Sequence, residues 1–319
     1  MIYSKWNRVS ILSLLVLMGC GGMTTQRELK IVTESYMIPS LDAGIQLYVR
    51  NKRPEGMVQF TGENTLLYVH GTTQAASSTF DLPLDGFSWM DYIARHGYDV
   101  YLVDLRGYGR STRPPEMEKP ASENPPIVRT DVAVRDVGAA IDHILARRGV
   151  TKLNLMGWSW GTAIMGRYAA ENSEKVNRLV LYAPPWIRKG PASTSPEPLG
   201  AYQVWTMEQA RSRLQTGAPK DKINDLMPRT WFELWSTAAL ATDPVGAKQT
   251  PPFVRTPNGT VQDTQEYWFA GKPLWEPSKV NAPTLIVVGE WDGLNLASWQ
   301  AVFDRLTNAN YKRAVQIGE

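Results

Sequence analysis

At 319 residues the chain is long enough to bury one large core and to carry a modest insertion. With 34 Lys and Arg against 31 Asp and Glu, a formal net charge of +3 and only 20% charged residues, it has neither a basic nor an acidic character. No cationic stripe interleaved with aromatics marks a nucleic-acid partner, and internal repeats and heptads are absent.

Lys5 and Arg8 precede the apolar run 11–18, which is followed by Gly19-Cys20-Gly21-Gly22. A positive start and a short apolar stretch make a secretory signal, too short for an ordinary membrane span. Cys20 is the single cysteine, so no disulfide within the chain is expected. The arrangement resembles a bacterial lipoprotein signal, in which Cys20 becomes the acylated first residue of the mature protein, although Met18 is off that pattern. It implies a signal over 1–19, a polar tether over 20–30, and anchoring to the cell envelope through acyl chains on Cys20. Plain secretion and an uncleaved anchor are the alternatives.

Residues 29–33 and 45–49 alternate as two early strands, joined through Pro39 and the Asp42-Ala43-Gly44 turn. Residues 65–69 are a near-continuous apolar run, as in a strand covered on both faces, and lead into His70-Gly71-Thr72-Thr73. A helix is predicted over 87–96 and a central strand over 99–103. In the loop Asp104-Leu105-Arg106-Gly107-Tyr108-Gly109-Arg110-Ser111, Asp104 and Arg106 are expected to pair and hold the loop beneath the pocket. Pro114, Pro115, Pro120, Pro125 and Pro126 make the next stretch an exposed excursion. A helix opening at Thr130-Asp131 carries Ala133, Val137, Ile141, Ile144 and Leu145 at helical spacing, with His143 on its polar side.

Residues 152–163 organise the rest. Gly157-Trp158-Ser159-Trp160-Gly161 fits the G-x-S-x-G pattern in a strand–turn–helix context. Lifting a serine hydroxyl above a sheet strains its backbone, and Gly157 and Gly161 leave room where strand and helix approach. A strand over 176–182 follows. From 186 to 280 the strand–helix alternation pauses, with helices predicted near 206–214 and 231–240 and with Trp186, Trp205, Trp231, Trp235, Trp268 and Trp275. These rings suit either an apolar pocket wall or the insertion's own core. The alternation resumes with a strand over 283–288, the turn Gly289-Glu290-Trp291-Asp292-Gly293, a helix over 296–306 and a strand over 312–317.

His70-Gly71, the 104–111 loop, the Ser159 turn and Gly289-Glu290-Trp291-Asp292 together resemble the alpha/beta-hydrolase family, of the kind that includes carboxylesterases, lipases and prolyl-iminopeptidase-like enzymes. The likeness implies an α/β fold: a mostly parallel central sheet flanked by helices, its core over 31–185 and 281–319, with a helical cap over 186–280. It implies Ser159 as nucleophile, Asp292 as the acid that orients a catalytic imidazole, and backbone N–H groups of Thr72 and Trp160 as the oxyanion hole. His70 is then a packed residue bracing the loop, and Glu290 is the local rival to Asp292. Dehalogenase and epoxide-hydrolase chemistry on this fold uses an aspartate at the elbow, against which Ser159 argues. No metal or organic cofactor is implied.

A triad also needs a histidine after the last strand. The three histidines, His70, His96 and His143, all precede Ser159, and each lies on an element ill suited to the role. The expectation is that the sequence stops short of its base. The implied activity of the full product is acyl-enzyme hydrolysis of carboxylic esters with apolar groups. The alternatives are an amide or peptide hydrolase of iminopeptidase type, with Glu208, Asp221, Asp225, Glu233 or Asp243 receiving an amine, and a non-catalytic binding protein for an apolar small molecule.

Overall fold

The computed structural model describes residues 30–187, 198–293 and 298–318. The signal reading, the acylation of Cys20 and all of the tether except Lys30 lie outside the described residues. Among these, no helix is long and apolar enough to cross a membrane.

β1 (Ile31–Pro39) and β2 (Gln46–Pro54) form an antiparallel hairpin, with Ile38 opposite Leu47. β3 (Thr65–Val69) and β4 (Asp99–Val103) are buried at every residue, which accounts for the near-continuous apolar run over 65–69. Between them α1 (Trp89–Arg95) starts where Ser88 caps it: the Ser88 hydroxyl accepts the Asp91 N–H at 3.0 Å. The proline-rich stretch is largely exposed, as expected, but it is pinned to the rest of the chain. Met117 is fully buried there, and its carbonyl accepts from Nη1 of Arg255 at 2.6 Å.

α2 (Thr130–Arg148) ends at Gly149, whose φ of +64° closes the last turn. His143 is half-buried against the Tyr36 ring, with centroids 5.4 Å apart, instead of on open surface. β5 (Leu153–Trp158), α3 (Trp160–Glu171) and β6 (Val176–Tyr182) complete the central crossover.

The insertion that follows holds β7 (Tyr202–Thr206), α4 (Met207–Leu214), α5 (Ile223–Leu226), α6 (Arg229–Leu240), β8 (Phe253–Pro257) and α7 (Gly259–Asp263), continued by a π-turn over Thr264–Trp268. It is helical as expected, but β7 and β8 also pair as an antiparallel ribbon that the sequence pattern did not announce. Trp235 and Ala239 of α6 pack on Leu82, Ala210 and Val254, which seats the insertion on the core. The chain then returns through β9 (Thr284–Gly289), α8 (Trp299–Arg305) and β10 (Lys312–Ile317).

Apart from the β7–β8 ribbon, the strands form one sheet in the order β1-β2-β4-β3-β5-β6-β9-β10. β2 runs antiparallel to both its neighbours, and the strands from β4 to β10 are parallel. Residues of α2, α3 and α8 cover one face, while Met90 and Ala94 of α1 pack on the other. This is the alpha/beta-hydrolase fold. All its parallel strands end on the same side, and reactive groups in open α/β sheets gather there.

Candidate active site

β5 delivers Ser159 at its carboxyl end. The residue sits at φ +53°, ψ −121°, a conformation that costs on the order of 1–3 kcal/mol and persists only when its surroundings impose it. Here they do. The Ser159 N–H donates to the Tyr182 carbonyl at 2.8 Å, and the Ser159 carbonyl accepts the Thr162 N–H at 2.8 Å and the Thr162 hydroxyl at 2.6 Å. Close packing enforces the glycines on either side. A Cβ on Gly157 would meet backbone of Gly161, and one on Gly161 would meet backbone of Val69 and His70.

Beside the serine, β3 leads into His70 and Gly71. A Cβ on Gly71 would lie 3.1 Å from that of Ser159, so the turn passes directly against the serine. His70 is fully buried and uses both ring nitrogens: Nδ1–H donates to the Gly71 carbonyl at 2.7 Å, and Nε2 accepts the Leu105 N–H at 3.1 Å. A neutral ring with its proton on Nδ1 satisfies both bonds, and burial holds the imidazole well below its ordinary pKa. Because the peptide is trans, drawing the Gly71 carbonyl toward His70 turns the Thr72 N–H to the opposite side. Trp160 opens α3, so its N–H has no carbonyl one turn earlier to bond.

A cavity of about 470 Å³ lies over these groups, and Gly71, Thr72, Ser159, Glu290 and Asp292 all line it. Trp158 and Tyr182, opposite each other at the ends of β5 and β6, add two stacked rings. Burial, with the charge of Asp292 adding to it, pushes the Tyr182 phenol up. The insertion contributes Arg213, Leu214 and Leu226 to the wall. Sequence periodicity gave no sign of these three. Trp158 and Tyr182 were open to inference, since the last residue of a parallel strand faces this end of the sheet.

Several expectations are corrected here. Asp104 and Arg106 do not pair. Asp104 accepts the Ser77 N–H at 2.9 Å, the Ser77 hydroxyl at 2.7 Å and the Arg110 N–H at 3.0 Å. Arg106 turns instead to Asp136, with Nε at 2.8 Å, and to Asp42, with Nη1 at 2.6 Å. Both hold the loop in place, but through separate partners. Of the insertion's tryptophans none lines the cavity. Trp186, Trp268 and Trp275 join the main core, and Trp235 packs beneath α6, because wide apolar rings gain most from full burial. The insertion's carboxylates are also absent from the cavity wall: Asp243 is buried against Arg255, and Glu233 pairs with Arg229.

None of the three histidines lines the cavity. His70 lies behind the turn with both nitrogens engaged, His96 bonds the Tyr92 carbonyl at the end of α1, and His143 sits on α2. Among the described residues no group of three or more His, Cys, Asp or Glu side chains converges to hold a metal ion.

A family model described as the alpha/beta hydrolase fold matches residues 64–316. Bifunctional epoxide hydrolase 2 of Sus scrofa is 25% identical over 146 residues, a match covering 43% of this chain and 24% of that protein, so the chain spans about a quarter of its length. Solved structures align with nearly the whole chain. The 2-hydroxy-6-oxo-6-phenylhexa-2,4-dienoate hydrolase of Rhodococcus is 13% identical, covering 91% of this chain and 92% of that one, with a TM-score of 0.58. An epoxide hydrolase from Vigna radiata is 16% identical, with coverages of 90% and 92% and a TM-score of 0.57. A thermophilic esterase from Thermogutta terrifontis is 18% identical, with coverages of 89% and 90% and a TM-score of 0.51. At these identities the likeness is one of fold.

Proposed function

The chain belongs to the alpha/beta-hydrolase family, and from that premise we propose that the cavity over Ser159 receives a small apolar molecule through a carbonyl group, which Ser159 attacks. The observation that carries this reading is a serine at a left-handed φ lining one cavity with Thr72 and Asp292. The carbonyl oxygen would rest between the N–H groups of Thr72 and Trp160. As the Ser159 Oγ bonds to the carbonyl carbon, the carbonyl electron pair moves onto that oxygen. A donor aimed at the resulting charge supplies about 3–4 kcal/mol of transition-state stabilisation. Collapse expels an alkoxide, which leaves as the alcohol once protonated, and water then clears the acyl group by the same sequence. Leu214, Leu226 and Trp158 favour apolar acyl or alcohol groups. Turnover by this route requires an imidazole between Ser159 and Asp292 to accept and return the proton.

Two observations each suit an alternative reading. No histidine of the chain reaches Ser159, which suits a pocket that binds an apolar molecule without turning it over. Glu290 puts a second carboxylate in the cavity beside Asp292, which suits a substrate amine and hence amide or peptide hydrolysis. Labelling by a serine-reactive phosphonate separates these readings. Strong labelling that Ser159→Ala abolishes sinks the binding-only reading; no labelling, with apolar ligands still bound, sinks the nucleophile. Hydrolysis of matched ester and amide substrates then ranks the two enzymatic readings.

The division into a core over 31–185 and 281–319 and a cap over 186–280 belongs to the same proposal, to be checked by limited proteolysis. So does envelope attachment through Cys20, which the order of Lys5, Arg8, the apolar run and Gly19-Cys20 supports. Incorporation of a tagged fatty acid that persists in Cys20→Ser would overturn it.

A further inference from the structure

We propose that Thr130 and Asp263 are positioning residues for the oxyanion hole, acting through the indole of Trp160; the inference rests on the reading of Ser159 as a nucleophile. Trp160 carries one of the two backbone donors on its own N–H, and its side chain is fully buried beneath the elbow. The indole N–H donates to the Thr130 hydroxyl at 2.9 Å. That hydroxyl donates in turn to Oδ2 of Asp263 at 2.6 Å, and the same oxygen accepts the Thr130 N–H at 2.7 Å. The other oxygen, Oδ1, accepts from Nε of Arg129 at 2.6 Å. Each link has a defined direction: the carboxylate only accepts, so the hydroxyl must donate to it, and its lone pairs then face the indole.

Two features mark this chain of bonds as specified rather than incidental. The buried indole N–H groups of Trp235, Trp268 and Trp275 have no hydrogen-bond partner, whereas that of Trp160 has a well-placed one. In addition, α2 has no local side-chain cap, and Asp263 caps its first N–H from 133 residues away. Asp263 closes α7 of the insertion, so a residue of the insertion holds the Trp160 indole through Thr130. On its other side Trp160 meets Tyr108, with centroids 6.2 Å apart, and Tyr108 meets His70 at 4.7 Å. The two oxyanion donors are thereby braced from a common buried layer. A reacting group misplaced by about 1 Å costs on the order of 100-fold in rate, so a smaller rotation of Trp160 has a measurable effect.

The test compares the unmutated chain with Thr130→Val, Thr130→Ser, Trp160→Phe and the Thr130→Val/Trp160→Phe double variant, with free imidazole present throughout. The readouts are the maximal rate at which a serine-reactive phosphonate labels Ser159, the concentration giving half that rate, and the thermal midpoint. The expected result is a maximal rate about tenfold lower in Thr130→Val and in Trp160→Phe, with the half-saturating concentration unchanged. The double variant falls no further than either single one, because both cut the same bond. Thr130→Ser keeps the hydroxyl and labels at the parent rate. Parent rates in Thr130→Val and Trp160→Phe, additive losses in the double variant, or a loss in Thr130→Ser overturn the relay and leave the nucleophile standing. An unmutated chain that does not label overturns the nucleophile, and the relay falls with it.

Discussion

A Cβ placed on Gly157 would lie 2.2 Å from the carbonyl oxygen of Gly161. The strand that carries Ser159 and the helix that follows it thus meet backbone to backbone, and the obstructing atoms have no rotamer with which to yield. Gly157→Ala is therefore expected to lower stability by about 1–3 kcal/mol and to shift the elbow enough to abolish phosphonate labelling of Ser159. Chemical denaturation alongside labelling checks both, and a variant that labels at the parent rate contradicts the close approach.

His70 makes stability depend on pH. Burial holds its pKa below the unfolded value of about 6.5, so below that value the unfolded chain binds a proton that the fold refuses. The contribution is complete above pH 6.5 and declines as pH falls toward the folded pKa, by at most about 1.4 kcal/mol per unit. His143, lowered by burial and by the nearby Arg147, acts in the same direction, so the comparison needs both variants. Thermal midpoints measured from pH 7.5 down to about 5.5 should fall less steeply in His70→Gln than in the parent. Equal slopes, with His143→Gln alone flattening the curve, would refute the assignment to His70.

Much of the sheet was legible in the sequence because burial on both faces leaves continuous apolar runs: Thr65–Val69 and Asp99–Val103 were bounded to the residue. The elbow was legible because a turn this tight admits few residue types. The ribbon of Tyr202–Thr206 with Phe253–Pro257 was not, since β7 is only partly buried along its length and shows no alternation. The direction of a side chain was also hidden. Asp104 and Arg106 are two residues apart, yet the loop sends one to Ser77 and the other to Asp136. The insertion's tryptophans revealed an apolar mass but not which way it faced.

The cavity allows a chemical test of the role proposed for Ser159. It holds Ser159 and Asp292 together within about 470 Å³, ample for a free imidazole beside a small acyl group. Added imidazole is expected to accelerate p-nitrophenyl ester hydrolysis by the chain on the order of 100-fold, the low end of what a positioned general base supplies, because the free base is not tethered. The acceleration should saturate with imidazole and vanish in Ser159→Ala. Asp292→Asn should weaken it, because the carboxylate no longer steadies the imidazolium. An increase linear in imidazole and equal in Ser159→Ala is solution catalysis and refutes a role for the serine.

Asp243 holds Arg255, which reaches from the insertion to the Met117 carbonyl of the core, and its removal should be costly. The carboxylate is fully buried and accepts from Arg255 three times, from the backbone N–H at 2.8 Å, Nε at 3.0 Å and Nη2 at 2.7 Å. Burial alone pushes this carboxyl up, but the bonds from Arg255 outweigh it and hold the group below the ordinary carboxylate range. Arg113 approaches the same carboxylate to 3.9 Å and donates to the Thr242 carbonyl at 3.0 Å. Asp243→Ala leaves Arg255 buried without its counter-charge, a loss expected to be about 3–5 kcal/mol. Removing both charges in Asp243→Ala/Arg255→Met should restore part of that loss, because the uncompensated cation goes with its partner. Urea midpoints of the parent, each single variant and the pair measure the coupling. A double variant no more stable than Asp243→Ala would show that the damage comes from lost packing and not from the stranded guanidinium.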